Sequence, residues 1–88
     1  MLFDPGQLLA TPAALDHLTL NGSSPLSLIR RHLRGDWGDL GADDKKLNDE
    51  AVTDRSRIVS AYAIAGIKIY VITEWDRSYT TVLLASEY

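Results

Sequence analysis

The apolar positions of this chain repeat with one spacing up to about residue 56 and with another beyond it. In the first stretch, Thr11-Pro12 supplies a hydroxyl cap followed by a proline whose missing N–H costs nothing at the first helical position. Ala13, Ala14, Leu15 and Leu18 continue that turn until Asn21-Gly22 stops it. The same start signal recurs at Ser24-Pro25, and Leu26, Ile29 and Leu33 then fall at i, i+3 and i+7 on one helical face. Arg30, Arg31 and Arg34 occupy the opposite face, where cations complement the negative end of the helix dipole, and Gly35 ends the helix. After a loop over residues 35–41, the segment from Asp43 to Val52 reads as a third helix with acids in its first turn and Leu47 and Ala51 facing inward. Gln7-Leu8-Leu9-Ala10 fits either a short strand or an early helical turn.

From Arg57 the period becomes 2. Ile58, Ser60, Tyr62 and Ile64 alternate with Val59, Ala61 and Ala63, and Ala65-Gly66 offers a tight turn into a second strand over residues 67–75. Asp76-Arg77-Ser78 is a second turn, and residues 79–84 form a third strand rich in β-branched and aromatic residues. The pattern therefore predicts an α+β fold in one domain over residues 1–88, with N-terminal helices (1–56, mainly helical) packed on a C-terminal three-stranded antiparallel β-meander (57–88). Its expected core holds Leu26, Ile29, Leu33, Leu47, Ile67, Ile69 and Val71. The opposite sheet parity, with Tyr70, Ile72 and Leu83, is half apolar; left bare, it would suit a partner or a homodimer formed through that sheet face.

Composition narrows the function classes. At 45% hydrophobic and 24% charged residues the chain can bury a core, which separates it from disordered tails. No apolar run approaches the roughly 20 residues of a membrane-spanning helix, and no basic segment precedes an apolar stretch at the N-terminus, so a cytoplasmic protein without membrane contact is expected. The absence of cysteine removes disulfides, thiolate metal sites and cysteine nucleophiles. The net charge of −3 disfavours a protein that coats duplex DNA. A local patch of Arg30, Arg31 and Arg34 beside His32 keeps nucleic acid as an alternative partner, with Trp37, Tyr62 or Tyr70 stacking on bases.

The loop around Gly35-Asp36-Trp37-Gly38-Asp39 is the least ordinary feature. Asp36 and Asp39, with Asp43 or Asp44, supply cation-type oxygen ligands, yet their spacing departs from the calcium loop, and no metal is expected. The structural alternative has Trp37 closing the helix–sheet seam while the aspartates cap and turn. Residues 36–50 carry six acids against Lys45 and Lys46, which would attract a basic partner surface or simply face solvent. Trp75 and Arg77 at the second turn belong to the residue types enriched among binding hot spots, although Trp75 shares the parity of Ile67, Ile69 and Val71 and also suits the core rim. The candidate partner-binding set is thus Asp36, Trp37, Asp39, Asp43, Asp44, Asp49, Trp75 and Arg77. His32 lies among arginines that disfavour its protonated form, and His17 and Asp16, adjacent on a helix, do not face each other. With two histidines and no marked nucleophile, neither catalysis nor a cofactor is expected.

Ala10-Thr11-Pro12, Arg31-His32-Leu33 leading into Gly35-Asp36-Trp37-Gly38-Asp39-Leu40, Leu47-Asn48, Ser60-Ala61-Tyr62, Ile72-Thr73-Glu74, Asp76-Arg77-Ser78 and Thr80-Thr81 together resemble a family of small bacterial proteins carried on plasmids and integrated elements, described as plasmid-related proteins. The resemblance covers most of the chain and brings no catalytic or binding residues with it. It implies an accessory gene of mobile DNA, a setting in which small acidic single-domain proteins are frequently inhibitors of host defence complexes. The expected function is a non-enzymatic protein-binding role, anti-restriction or anti-CRISPR in kind. A small nucleic-acid-binding regulator using Arg30, Arg31 and Arg34 is the alternative.

Overall fold

Both hydroxyl–proline signals start helices in the computed structural model, which describes residues 1–88. Helix α1 spans Pro12–Leu20 and α2 spans Pro25–Leu33; the Thr11 and Ser24 side chains accept from the Ala14 and Ser27 N–H groups, each at 3.2 Å. Helix α3, Ala42–Asp54, follows Gly41 and ends at Arg55, whose φ of 63° is left-handed.

The expected meander is present as β2 (Ile58–Ile64), β3 (Ile67–Thr73) and β4 (Tyr79–Leu84), but the sheet has four strands and is mixed. Gln7–Ala10 forms β1 and pairs parallel to β4, giving the order β1-β4-β3-β2. This corrects the three-stranded expectation, and the cause is local. Pro12 biases Thr11 toward extended backbone, the Thr11 N–H bonds the Val82 carbonyl at 2.9 Å, and the Gln7 N–H bonds that of Ser78 at 3.0 Å. The chain is therefore held straight along the free edge of β4 until the cap turns it into α1.

The β2–β3 turn places both Ala65 (φ 50°) and Gly66 (φ 77°) in the positive-φ region that a type I′ turn requires. Alanine is the costly choice there, and the side chain is exposed. Ala65→Asn should stabilise the protein by roughly 0.5–1 kcal/mol, read as a rise of a few degrees in melting temperature. A fall would show that the alanine methyl makes a packing contact worth more than the strain.

One face of the sheet presents Ile58, Tyr62, Ile69, Val71 and Val82 to Ala14, Leu18, Leu28, Ile29 and Leu33, with Phe3, Trp37 and Ala51 closing the margin. Of the expected core, Ile29, Leu33, Ile69 and Val71 are buried, whereas Leu26, Leu47 and Ile67 are exposed. On α2 the inward stripe is Leu28, Ile29, His32 and Leu33, which leaves Leu26 in the first turn beside β1. On α3 the inward place belongs to Asn48, because this helix lies along the edge of β2 and meets it with an amide. Ile67 pairs with Ile64 next to the tight turn. The outer sheet face is not bare either: Ile72 and Ala61 are buried, and Tyr88 packs edge-on against Tyr70 at 5.8 Å. Tyr70 and Leu83, named for a homodimer through that face, are half-buried. No helix is long and apolar enough to cross a membrane.

Candidate functional site

The buried polar groups form one chain. His32, from the inward stripe of α2, has its Nδ1 2.5 Å from Ser60 Oγ and its Nε2 2.9 Å from Thr73 Oγ1. Thr73 Oγ1 lies 2.7 Å from Thr80 Oγ1, which donates to the Pro5 carbonyl at 2.7 Å. A carbonyl only accepts, so the proton order follows: Thr73 donates to Thr80, Nε2–H donates to Thr73, and Ser60 donates to the bare Nδ1. All four side chains are fully buried. Burial pushes the His32 pKa down to about 3, and the positive charge of Arg77 adds to the shift. The charge that matters is therefore remote in sequence, not one of the neighbouring arginines. A serine bonded to a neutral imidazole has the composition of a nucleophilic pair, but the far ring nitrogen donates to a threonine instead of a carboxylate, and the hydroxyl is fully buried. The arrangement orders α2 on the sheet.

The loop after α2 does a second structural task. Asp36 accepts from Arg31 Nε at 2.6 Å and from the Gly38 N–H at 3.2 Å, and the bond to Arg31 holds its carboxyl below the usual range. The Arg31 guanidinium also lies over the Tyr62 ring, 4.5 Å from its centroid. Tyr62 donates to the Asp36 carbonyl at 2.7 Å, and burial raises its pKa to about 12. Trp37 is buried and donates from Nε1 to Asp49 at 2.9 Å. Its carbonyl accepts from the Ala61 N–H at 3.1 Å, while the Asp39 N–H donates to the Ala61 carbonyl at 2.6 Å. Gly38 sits between them with φ 76°, and a Cβ there would lie 1.9 Å from the Ala61 oxygen. Two positions away, the Asn48 amide donates to the Val59 carbonyl at 2.8 Å and accepts from its N–H at 3.2 Å. The free edge of β2 is thus capped at 59 and 61, as edge strands require.

Asp36, Trp37 and Asp49, expected as partner-binding residues, are engaged within the fold. Arg77 is engaged too: its guanidinium donates to the carbonyls of Ser56 (2.8 Å), Glu74 (3.1 Å) and Ala51 (2.7 Å), tying the β3–β4 turn to the end of α3. Asp39, Asp43 and Asp44 remain exposed, and Trp75 is 66% exposed instead of lying at the core rim. Arg30 and Arg34 are exposed without an ion-pair partner, but Arg31 is bound to Asp36, so the three arginines do not form one free patch. No three His, Asp or Glu side chains converge as a metal site would need.

The open feature on this side is a cleft of about 360 Å³ between α3 and the C-terminal residue. Leu40, Leu47, Val59, Tyr70 and Tyr88 form its apolar lining, and Asp44 and Arg57 stand at its rim. Asp44, Leu47 and Asn48 share one face of α3 at i, i+3 and i+4. Arg57 lies over the Tyr88 ring, 5.2 Å from its centroid, and pairs with Glu74 at 3.5 Å. The contribution of Tyr88 and Arg57 was hidden in the sequence, since only the folded C-terminus brings them together. The chain matches no protein-family model, no curated protein and no solved structure.

Proposed function

We propose that this chain is a non-enzymatic protein-binding accessory protein of a mobile genetic element, an inhibitor that occupies a basic surface of a host defence complex in the anti-restriction or anti-CRISPR manner. The observation that carries the binding role is Leu47, 61% exposed on the face of α3 that lines the cleft, with Asp44 beside it and Asp39 and Asp43 exposed nearby. An apolar centre within a charged rim is the anatomy of a protein interface. The partner it suits presents an apolar side chain flanked by lysine or arginine, and Trp75 offers a further exposed anchor. The mobile-element setting and the inhibitor role rest on the resemblance in sequence.

The test compares capture from a bacterial host lysate by the native chain, by Leu47→Asp and by the Asp43→Lys, Asp44→Lys double variant. These positions are exposed, so the melting temperature should hold while a specific protein is lost from both variants. The charge reversal should also slow association and weaken its salt dependence. Micromolar binding to oligonucleotides at physiological salt, abolished by Arg30→Ala with Arg34→Ala, would replace this reading with the nucleic-acid regulator.

A further inference from the structure

The two edges of the sheet are treated differently. The β2 edge is capped by Asn48 and by the loop through Trp37 and Asp39, as described above. The β1 edge has no such cover. The Gln7 and Thr11 N–H groups point to β4, and in a parallel pair the direction alternates along the strand. Leu8 and Ala10 therefore aim their N–H and C=O groups away from the sheet. All four residues of β1 are exposed, Leu8 and Leu9 at 46% and 40%. Beside Leu8 a groove of about 260 Å³ runs between β1 and the start of α2, lined by Pro25, Leu26 and Ile29. Unpaired strand edges next to exposed apolar side chains template the addition of another strand.

We propose that this edge takes β1 of a second copy, antiparallel, with the two-fold axis at Leu9, so that two sheets join into one of eight strands. Charge and register both select this occupant. The chain has nine basic and twelve acidic residues, yet none of them falls between Pro5 and Leu15 or between His17 and Ile29, the stretches that build the edge and its groove. The Glu87 carboxylate, which accepts from the Thr11 hydroxyl at 2.7 Å, stands at one end of the edge; the paired residues themselves are neutral, so the copy meets the strip with no charge in the pairing. The outward groups at Leu8 and Ala10 are symmetric about Leu9. Leu8 of each copy exchanges two hydrogen bonds with Ala10 of the other, and the two Leu9 residues face each other as a non-hydrogen-bonded pair. This contact is separate from the α3 cleft, so it stands or falls independently of the binding role proposed there.

Non-hydrogen-bonded antiparallel pairs bring Cα atoms to roughly 4.5 Å, within the range a disulfide spans. The chain has no cysteine, so Leu9→Cys introduces a single thiol. On mild oxidation it should form a covalent dimer much faster than Leu20→Cys, an exposed position away from the edge. Sedimentation equilibrium of the native chain should show a concentration-dependent mass approaching twice 9.7 kDa. Leu8→Lys, and Ala10→Pro, which deletes only an outward N–H, should each raise the dimer dissociation constant at least about tenfold with an unchanged circular dichroism spectrum. A native chain that stays monomeric up to about 1 mM overturns the proposal. So does a dimer that survives both edge variants, or equal cross-linking at positions 9 and 20.

Discussion

His32→Ala is expected to remove about 3–5 kcal/mol of stability, a large share of what an 88-residue domain holds. Part of this loss is the cavity left where an imidazole packs edge-on against Phe3 and Trp37, at 5.2 and 5.8 Å. The remainder is polar. Ser60 loses the ring nitrogen that accepts its proton, and Thr73 loses a donor although it keeps Thr80. A second variant separates the two contributions. His32→Leu fills most of the space but takes the ring from Ser60 and one donor from Thr73; adding Ser60→Ala and Thr73→Val removes the under-satisfied groups and should recover most of the loss, because a matched apolar set is nearly neutral where a half-satisfied network is not. Urea midpoints for the four combinations around His32 and Ser60 give the coupling directly. A loss below about 1 kcal/mol for His32→Ala would mean that water enters and serves the hydroxyls in place of the ring.

Acid should weaken the fold well above the pH at which carboxylates titrate. In the unfolded chain His32 takes a proton near its ordinary value of 6.5, whereas in the folded protein it stays neutral down to about 3. Between those values the unfolded state binds the extra proton, so stability is full above 6.5 and falls as pH drops, by at most about 1.4 kcal/mol per unit. From pH 6.5 to 4.5 the accumulated loss approaches roughly 2–3 kcal/mol. Asp36, Asp54 and Asp76, whose carboxyls are held below the usual 3.8, add their own losses only at lower pH. Urea midpoints measured across this window should slope in the native protein and flatten in the triple apolar variant. A native protein with a level profile down to pH 4.5 would contradict a buried, neutral ring.

Much of the architecture was legible because its causes are local. Thr11-Pro12 and Ser24-Pro25 set two helix starts, and the change of period at Arg57 marked the three strands of the meander. The misses share a different cause: each depends on a partner that only the folded chain brings into contact. Gln7–Ala10 is a strand only because β4 offers it an edge. Asn48 displaces Leu47 from the inward stripe of α3 because what it faces is the backbone of β2, which an amide satisfies and a leucine cannot. Trp37 and Asp49, like Arg31 and Asp36, looked available until their mutual bonds became visible. One signal for the His32 chain was present in advance. Ser60, Thr73 and Thr80 stand at inward parity among Ile58, Val71 and Val82, and hydroxyls at core positions need a buried partner. His32, one helical turn past Leu28 on the same face, was the polar side chain positioned to supply it.

The parallel pairing of β1 with β4 also governs how the molecule is assembled. Hairpins β2–β3 and β3–β4 close over short loops, but β1 must wait for a strand made far later in the chain; the Thr80–Pro5 bond at this junction joins residues 75 positions apart. Closing so long a loop is slow relative to the hairpins. The nascent protein therefore passes through a stage in which the meander is formed, β4 has a vacant side, and the N-terminal strand is still loose. Until β1 docks, that vacancy is open to the same strand of another molecule as much as to its own. The proline-capped helix immediately after β1, by restricting the directions the strand can take, favours its own chain.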